Sequence, residues 1–180
     1  MSRIAVDMDE VLADTLGKQL LWLEAQRGIV LRRERLAGLS LREVLDGDHF
    51  AALQRAMHEP DFFGDLAVMP GAVEVMRRLG ERHELFVATA AMEYPASFGA
   101  KFDWLARHFP FVSPLHIVFC GDKSIVRADY LLDDSPRYFA TFAGQPLLFA
   151  APHNAHTDGV PIMKNWWDVA AYFAGEEPAH

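Results

Sequence analysis

Ile4-Ala5-Val6-Asp7-Met8-Asp9-Glu10-Val11-Leu12-Ala13-Asp14 is the stretch whose reading decides the fold. The short apolar run at residues 4–6 reads as a fully buried strand. It runs out into two acidic side chains one residue apart, Asp7 and Asp9. Burying carboxylates without partners is costly, so a pair leaving a core strand needs a reason. A divalent cation at the strand's carboxyl end supplies one, because hard ions such as Mg²⁺ take oxygen ligands. That edge is also where ligands collect in open α/β sheets. The plainer alternative is that both acids cap the helix that follows.

The surrounding chain narrows the class. Its 180 residues suit one domain with room for an insertion, and 51% apolar with 23% charged residues is globular composition. A formal net charge of −8 argues against a nucleic-acid polymer or an anionic membrane as partner. A small phosphorylated substrate stays compatible, since a bound metal inverts the local field. The single cysteine, Cys120, excludes an internal disulfide framework. With no signal-peptide pattern and no membrane-length apolar run, the expectation is a cytoplasmic protein.

Working outward, Leu16, Leu20 and Leu23 predict a helix over residues 14–27, ended by Gly28. Residues 29–63 are rich in Arg and Glu and show two short helical patterns, 40–45 and 48–57, without a strand. With the preceding helix they read as a small helical insertion covering the sheet edge. The charged run Leu31-Arg32-Arg33-Glu34-Arg35 reads as a solvated face. Pro70-Gly71 restarts the main unit with a helix on Ala72, Val75, Met76 and Leu79, and residues 84–89 form a second buried strand. A helix then puts Phe98, Phe102, Leu105 and Phe109 on one face for core packing. Residues 116–120, 130–133 and 145–150 are three more strands, and 166–173 a closing helix. Strands alternating with helices predict an α/β fold, a parallel sheet with helices on both faces.

Further polar features sit at predicted strand ends: Thr89 after the second, Lys123 after the third, Asp133-Asp134 after the fourth. Each has an ordinary alternative, as a helix cap or a solvated lysine. In a parallel sheet, however, these ends meet along one edge. Together they make an apparatus for phosphoryl transfer. One carboxylate can attack phosphorus, and a second can protonate the leaving oxygen and then activate water. Mg²⁺ held by the acids would offset charge, and lysine and threonine would hold phosphoryl oxygens.

The order Asp-x-Asp, Thr, Lys, Asp-Asp resembles the haloacid dehalogenase (HAD) superfamily. More closely, DMDEVLAD, PDFFGDLAVMPGAVE, DKSIVRADYLLDDSP and FAAPHNAH resemble the 5'(3')-deoxyribonucleotidase family. The resemblance implies a Rossmann-like parallel sheet over residues 1–14 and 64–180, with a helical cap, 15–63, inserted after the first strand. It implies a Mg²⁺-dependent phosphomonoesterase working through an aspartyl-phosphate, with Asp7 as nucleophile and Asp9 as acid/base. The metal would be held by Asp7, the carbonyl of Asp9 and Asp134, with Asp133 beside it. Thr89 and Lys123 would bind phosphate, and Lys101 matches a further substrate-side lysine. A carboxylate at Asp9, where phosphoenzyme-forming pumps look different and carry threonine, favours hydrolysis.

Some positions depart from that family. Thr15 stands where an aromatic of the base site is expected, residues 39–41 lack a Phe-Trp pair, and Met57 occupies a tryptophan position. The second motif reads Thr89-Ala90 in place of Thr-Ser. Phe63 remains, beside Phe62, as a candidate base contact or as cap-to-core packing. A non-nucleotide phosphoester therefore stays open as the substrate, as does a silent phosphate-binding scaffold. A phospho-acceptor receiver domain is disfavoured, because Cys120-Gly121 stands where its acceptor Asp belongs. His153-x-x-His156 lacks a third ligand, Cys120 reads as a buried thiol, and Leu12 to Gln19 lacks the residues of a P-loop.

Overall fold

The computed structural model describes residues 1–175. Six parallel strands form one sheet in the order β3-β2-β1-β4-β5-β6. They are β1 (Arg3–Val6), β2 (Glu84–Thr89), β3 (Ile117–Phe119), β4 (Tyr130–Asp133), β5 (Gln145–Phe149) and β6 (Ile162–Met163). β1 lies in the middle, in register with β2 (Ala5 opposite Phe86) and β4 (Ala5 opposite Leu131). Its Ile4, Ala5 and Val6 are fully buried, as a central parallel strand covered on both faces must be. The order reverses between β1 and β4, so the crevice at their carboxyl ends is the place where such a sheet binds ligands. Asp7 and Asp133 stand at those ends.

The helices are α1 (Thr15–Arg27), α2 (Leu41–Val44), α3 (Gly47–Met57), α4 (Ala72–Gly80), α5 (Phe98–His108) and α6 (Trp166–Ala174). On one face Ile4, Val6 and Val87 pack with Val75 and Met76 of α4, Trp104 and Leu105 of α5, and Trp166 and Phe173 of α6. On the other, Ala5, Ala88, Leu131 and Leu148 meet Phe139 and Phe142. Local signals set the helix ends. Asp14 caps α1 by accepting from the Gly17 N–H at 2.8 Å, and Gly28 ends it at φ 65°, the left-handed conformation glycine tolerates. Ser40 and Glu43 form a capping box on α2. Among the described residues, 15–66 carry helical elements and no strand. The two ends of this segment are tied together: the Asp14 N–H donates to Ala67 O and the Met69 N–H to Leu12 O, both at 2.8 Å.

Several expectations need correction. Residue 116 is not in β3; it ends a 3₁₀ turn, its Nδ1 3.0 Å from Leu85 O. β5 stops at Phe149, and β6 was not foreseen, since two residues carry no readable period. The inward face of α5 is Lys101, Trp104 and Leu105, while Phe102 is 39% exposed. Of the expected stripe, Leu105 and Phe109 are buried, and it is Phe102 that yields its inward place to Lys101, whose anionic partner Asp9 lies inside. The Arg run is not uniformly solvated either: Arg33 is paired with Glu10 and Asp14.

Candidate active site

β1 delivers Asp7 to the sheet edge, and the Asp7 N–H continues the β ladder by donating to Leu132 O at 2.9 Å. Neither Asp7 nor Asp9 caps α1; Asp14 does. β4 delivers Asp133 and Asp134. One oxygen each of Asp7, Asp133 and Asp134 lies within 4.8 Å of the others, and all three residues are buried. Lys123, from a 3₁₀ turn after β3, reaches the cluster with Nζ 2.7 Å from Asp7 Oδ1 and 2.5 Å from Asp133 Oδ2. It is 4% exposed, so it is not a solvated loop lysine. Thr89, ending β2, is fully buried with its Oγ1 unpartnered, so it caps no helix; it stands behind Ala90 and is not itself among the residues lining the cavity.

Three buried carboxylates face one ammonium. Burial first, opposed by Lys123 and reinforced by Asp133 and Asp9, pushes the Asp7 carboxyl up to about 7. Burial, then Asp7 and Asp133, pushes Asp134 well above the ordinary carboxylate range. Burial alone would lower the Lys123 pKa, but Asp7 and Asp133 outweigh it and raise it. An all-oxygen donor set with surplus negative charge fits a hard divalent cation. Asn154 steadies the set, donating from Nδ2 to Asp134 O at 2.7 Å and Phe149 O at 2.8 Å. His153 Nε2 lies 3.1 Å from Asp134 O and 3.3 Å from its Oδ2. His156 stands instead against Gly38, so the two histidines share no site.

Protons and a cation compete for these oxygens. Asp7 is protonated below about pH 7 in the metal-free protein, so a cation binding there at lower pH must expel a proton. The same raised value means the folded metal-free protein holds more protons than the unfolded chain between the two pKa values, and its stability falls as pH rises through that window. Saturating Mg²⁺ is therefore expected to raise the thermal midpoint by several degrees at pH 8 and by clearly less at pH 6. Differential scanning fluorimetry at both pH values checks this; an equal shift at both would contradict it.

Asp9 borders the same opening. Thr15 Oγ1 donates to its Oδ1 at 2.7 Å, and Lys101 Nζ pairs with its Oδ2. Lys101 is 1% exposed and sits 4.5 Å from the Phe63 ring centroid. Asp7, Asp9, Lys101, Lys123, Asp133 and Asp134 all line one cavity of about 610 Å³, as do Thr15, Phe63 and Ala90. Its far wall comes from the helical segment and the turn after β2: Phe50, Gln54, Met57 and Tyr94, with Gln19 and Arg42. Phe62 and Phe63 both pack in the core, and of the two Phe63 also borders the cavity. The Tyr94 hydroxyl donates to Gln54 Oε1 at 3.1 Å. Tyr94, Gln54 and Gln19 carry no signal in the sequence beyond composition, since their partners arrive from distant elements, while Asn154 lies in the FAAPHNAH stretch without a role legible there. Lys18, in the P-loop-like run, pairs with Asp65, and the Cys120 thiol lies 3.1 Å from Asp122 O.

A model of the family described as 5' nucleotidase, deoxy (pyrimidine), cytosolic type C protein matches residues 1–174. A Staphylococcus aureus protein named "Putative 5'(3')-deoxyribonucleotidase" is 45% identical over 170 residues, 94% of each chain. A Bacillus subtilis 5'(3')-deoxyribonucleotidase is 31% identical over 166 residues, 92% of this chain and 95% of its own. Among solved structures, the "putative HAD-hydrolase YfnB" of Bacillus subtilis, bound to magnesium, superposes with a TM-score of 0.61 at 12% identity, covering 96% of this chain and 98% of its own. D,D-heptose 1,7-bisphosphate phosphatase of Burkholderia thailandensis gives 0.56 at 16% identity, covering 98% and 100%. These structures share the HAD fold.

Proposed function

As the chain belongs to the 5' nucleotidase, deoxy (pyrimidine), cytosolic type C family, a family of phosphatases, we propose that it dephosphorylates deoxyribonucleoside monophosphates with Mg²⁺ through an aspartyl-phosphate on Asp7. The observation that carries this is the meeting of Asp7, Asp133 and Asp134 around one point, with Asp9 on the wall of the same cavity. Residues 15–63 act as the cap over that cavity, and 1–14 with 64–175 as the core beneath it.

The Asp7 carboxylate attacks phosphorus while the bond from phosphorus to the ester oxygen breaks. Asp9, as general acid, gives a proton to that oxygen, and the nucleoside leaves as an alcohol. Asp9, now a carboxylate, takes a proton from water as the water oxygen attacks the acyl phosphate. Inorganic phosphate leaves and Asp7 is restored. Mg²⁺, held by Asp7, Asp134 and the Asp9 carbonyl with Asp133 alongside, would neutralise charge on the transferring group. Lys123 and the unpartnered Thr89 hydroxyl hold phosphoryl oxygens. Thr15 and Lys101 hold Asp9 in place.

The nucleoside part has a chamber suited to it. Thr15 and Met57 offer no ring where the family has one, yet Phe63 remains and Phe50, Tyr94 and Tyr138 also line the cavity, and aromatic rings can stack on any base. No helix among the described residues is long and apolar enough to cross a membrane. Phosphate release from deoxyribonucleotides, ribonucleotides and non-nucleotide phosphoesters, with Mg²⁺ and an Asp7→Asn blank, tests the reading. Preference for deoxyribonucleoside monophosphates is expected. Turnover of non-nucleotide esters alone would overturn the substrate and keep the phosphatase.

A further inference from the structure

Glu10, directly after Asp9, is the one described non-glycine residue with a positive φ, 58°. A side chain kept where glycine fits more easily needs a use, and its carboxylate has two. Oε1 accepts from the Leu16 N–H in the first turn of α1 at 2.5 Å, and Oε2 lies 3.2 Å from Arg33 Nη1. Arg33 Nη2 pairs in addition with Asp14, the N-cap of the same helix. The first turn of α1 carries Thr15, whose hydroxyl donates to Asp9 Oδ1. Contacts therefore run unbroken from Arg33 through Glu10 and Asp14 to the start of α1, and through Thr15 to Asp9. At the other end, the turn Arg33–Leu36 and the residues just after it supply Leu36 and Leu39 to the cavity wall, and the Gly38 N–H fastens this piece to Pro152 O at 2.8 Å.

We infer that Glu10 and Arg33 are positioning residues that couple seating of the 33–39 segment over the cavity to the placement of the Asp9 carboxyl. Neither touches the reacting atoms; they act through the first turn of α1. The inference rests on the reading of Asp9 as the acid that protonates the leaving oxygen. When segment 33–39 lifts, Arg33 leaves Glu10 and Asp14, the turn bearing Thr15 loosens, and Asp9 loses one of its two holds. Leaving-group protonation is then confined to the closed enzyme.

The test is the dependence of kcat/KM on the leaving group, because kcat/KM reports steps only as far as alcohol release. A nitrophenolate leaves without a proton and an alkoxide does not. The probes are p-nitrophenyl phosphate and an unactivated alkyl ester, either the best nucleoside monophosphate or, if none is turned over, glycerol 2-phosphate. Glu10→Gln keeps the acceptor for the Leu16 N–H and loses the charge facing Arg33. It is expected to lower the alkyl-to-nitrophenyl ratio of kcat/KM about tenfold. Arg33→Met should match it, Arg33→Lys should recover most of the ratio, and the double variant should lose no more than either single one. Glu10→Gly, which deletes the carboxylate while relaxing the backbone, should lose the ratio without misfolding. Parallel loss on both esters, or an unchanged ratio, overturns the coupling. Wild-type enzyme inert on every ester overturns the phosphatase reading itself, and the role of Glu10 with it.

Discussion

Asp7→Asn is expected to lower phosphate release by at least about 10⁴-fold while leaving the fold intact. The amide has nearly the shape of the carboxyl but cannot attack phosphorus at neutral pH. Folding should not suffer, because the native carboxyl is already pushed up to about 7 by burial, so a neutral group costs less here than a charged one. Lys123 keeps Asp133 as partner at 2.5 Å. Circular dichroism should match wild type, the metal-free thermal midpoint should match it at pH 6 and lie at or above it at pH 8, and turnover should fall to the blank. Retained turnover in a folded Asp7→Asn protein would remove Asp7 from the chemistry.

Removal of the cation is the second large effect. EDTA is expected to stop turnover and Mg²⁺ to restore it, since the acidic cluster has surplus negative charge that Lys123 alone does not balance. Asp134→Asn sharpens the point by moving two observables in opposite directions. It keeps one oxygen donor and discards one charge, so the Mg²⁺ concentration for half-maximal rate should rise by about tenfold to a hundredfold. In the absence of metal the same variant should be more heat-stable than wild type at pH 8. Asp134 is held well above the ordinary carboxylate range by burial, Asp7 and Asp133, and neutralising it relieves that repulsion. Full activity in chelator, or a metal-free variant less stable than wild type, would contradict a cation site at these residues.

What could be read in the sequence was what depends on near neighbours in the chain. The run into Asp7 showed β1 because a central parallel strand must be apolar on both faces, and α1 followed from the spacing of Leu16, Leu20 and Leu23 with Gly28 at its end. The meeting of Asp7, Lys123 and Asp133 was legible at one remove: parallel strands put their carboxyl ends on one edge, so three local readings became one site. Contacts that depend on how the helical segment folds back were not legible. Arg33 looked like one more arginine of a charged run, and only the return of that segment brings it to Glu10, 23 residues earlier. Lys101 is marked by resemblance, but its grip on Asp9 spans 92 residues and leaves Phe102 outside. β6 escaped because two residues beside β5 have no pattern to show.

The account rests on a covalent bond between phosphorus and the Asp7 carboxyl, and that bond can be caught. Enzyme mixed with Mg²⁺ and its best substrate is quenched in acid, reduced with borohydride, digested and mapped by mass spectrometry. Borohydride reduces an acyl phosphate to the alcohol, so a phosphorylated Asp7 becomes homoserine. Homoserine at residue 7 in wild type only when substrate is present, and never in Asp7→Asn, is the predicted result. Substrate consumed at the wild-type rate with Asp7 recovered unmodified at every quench time would contradict it.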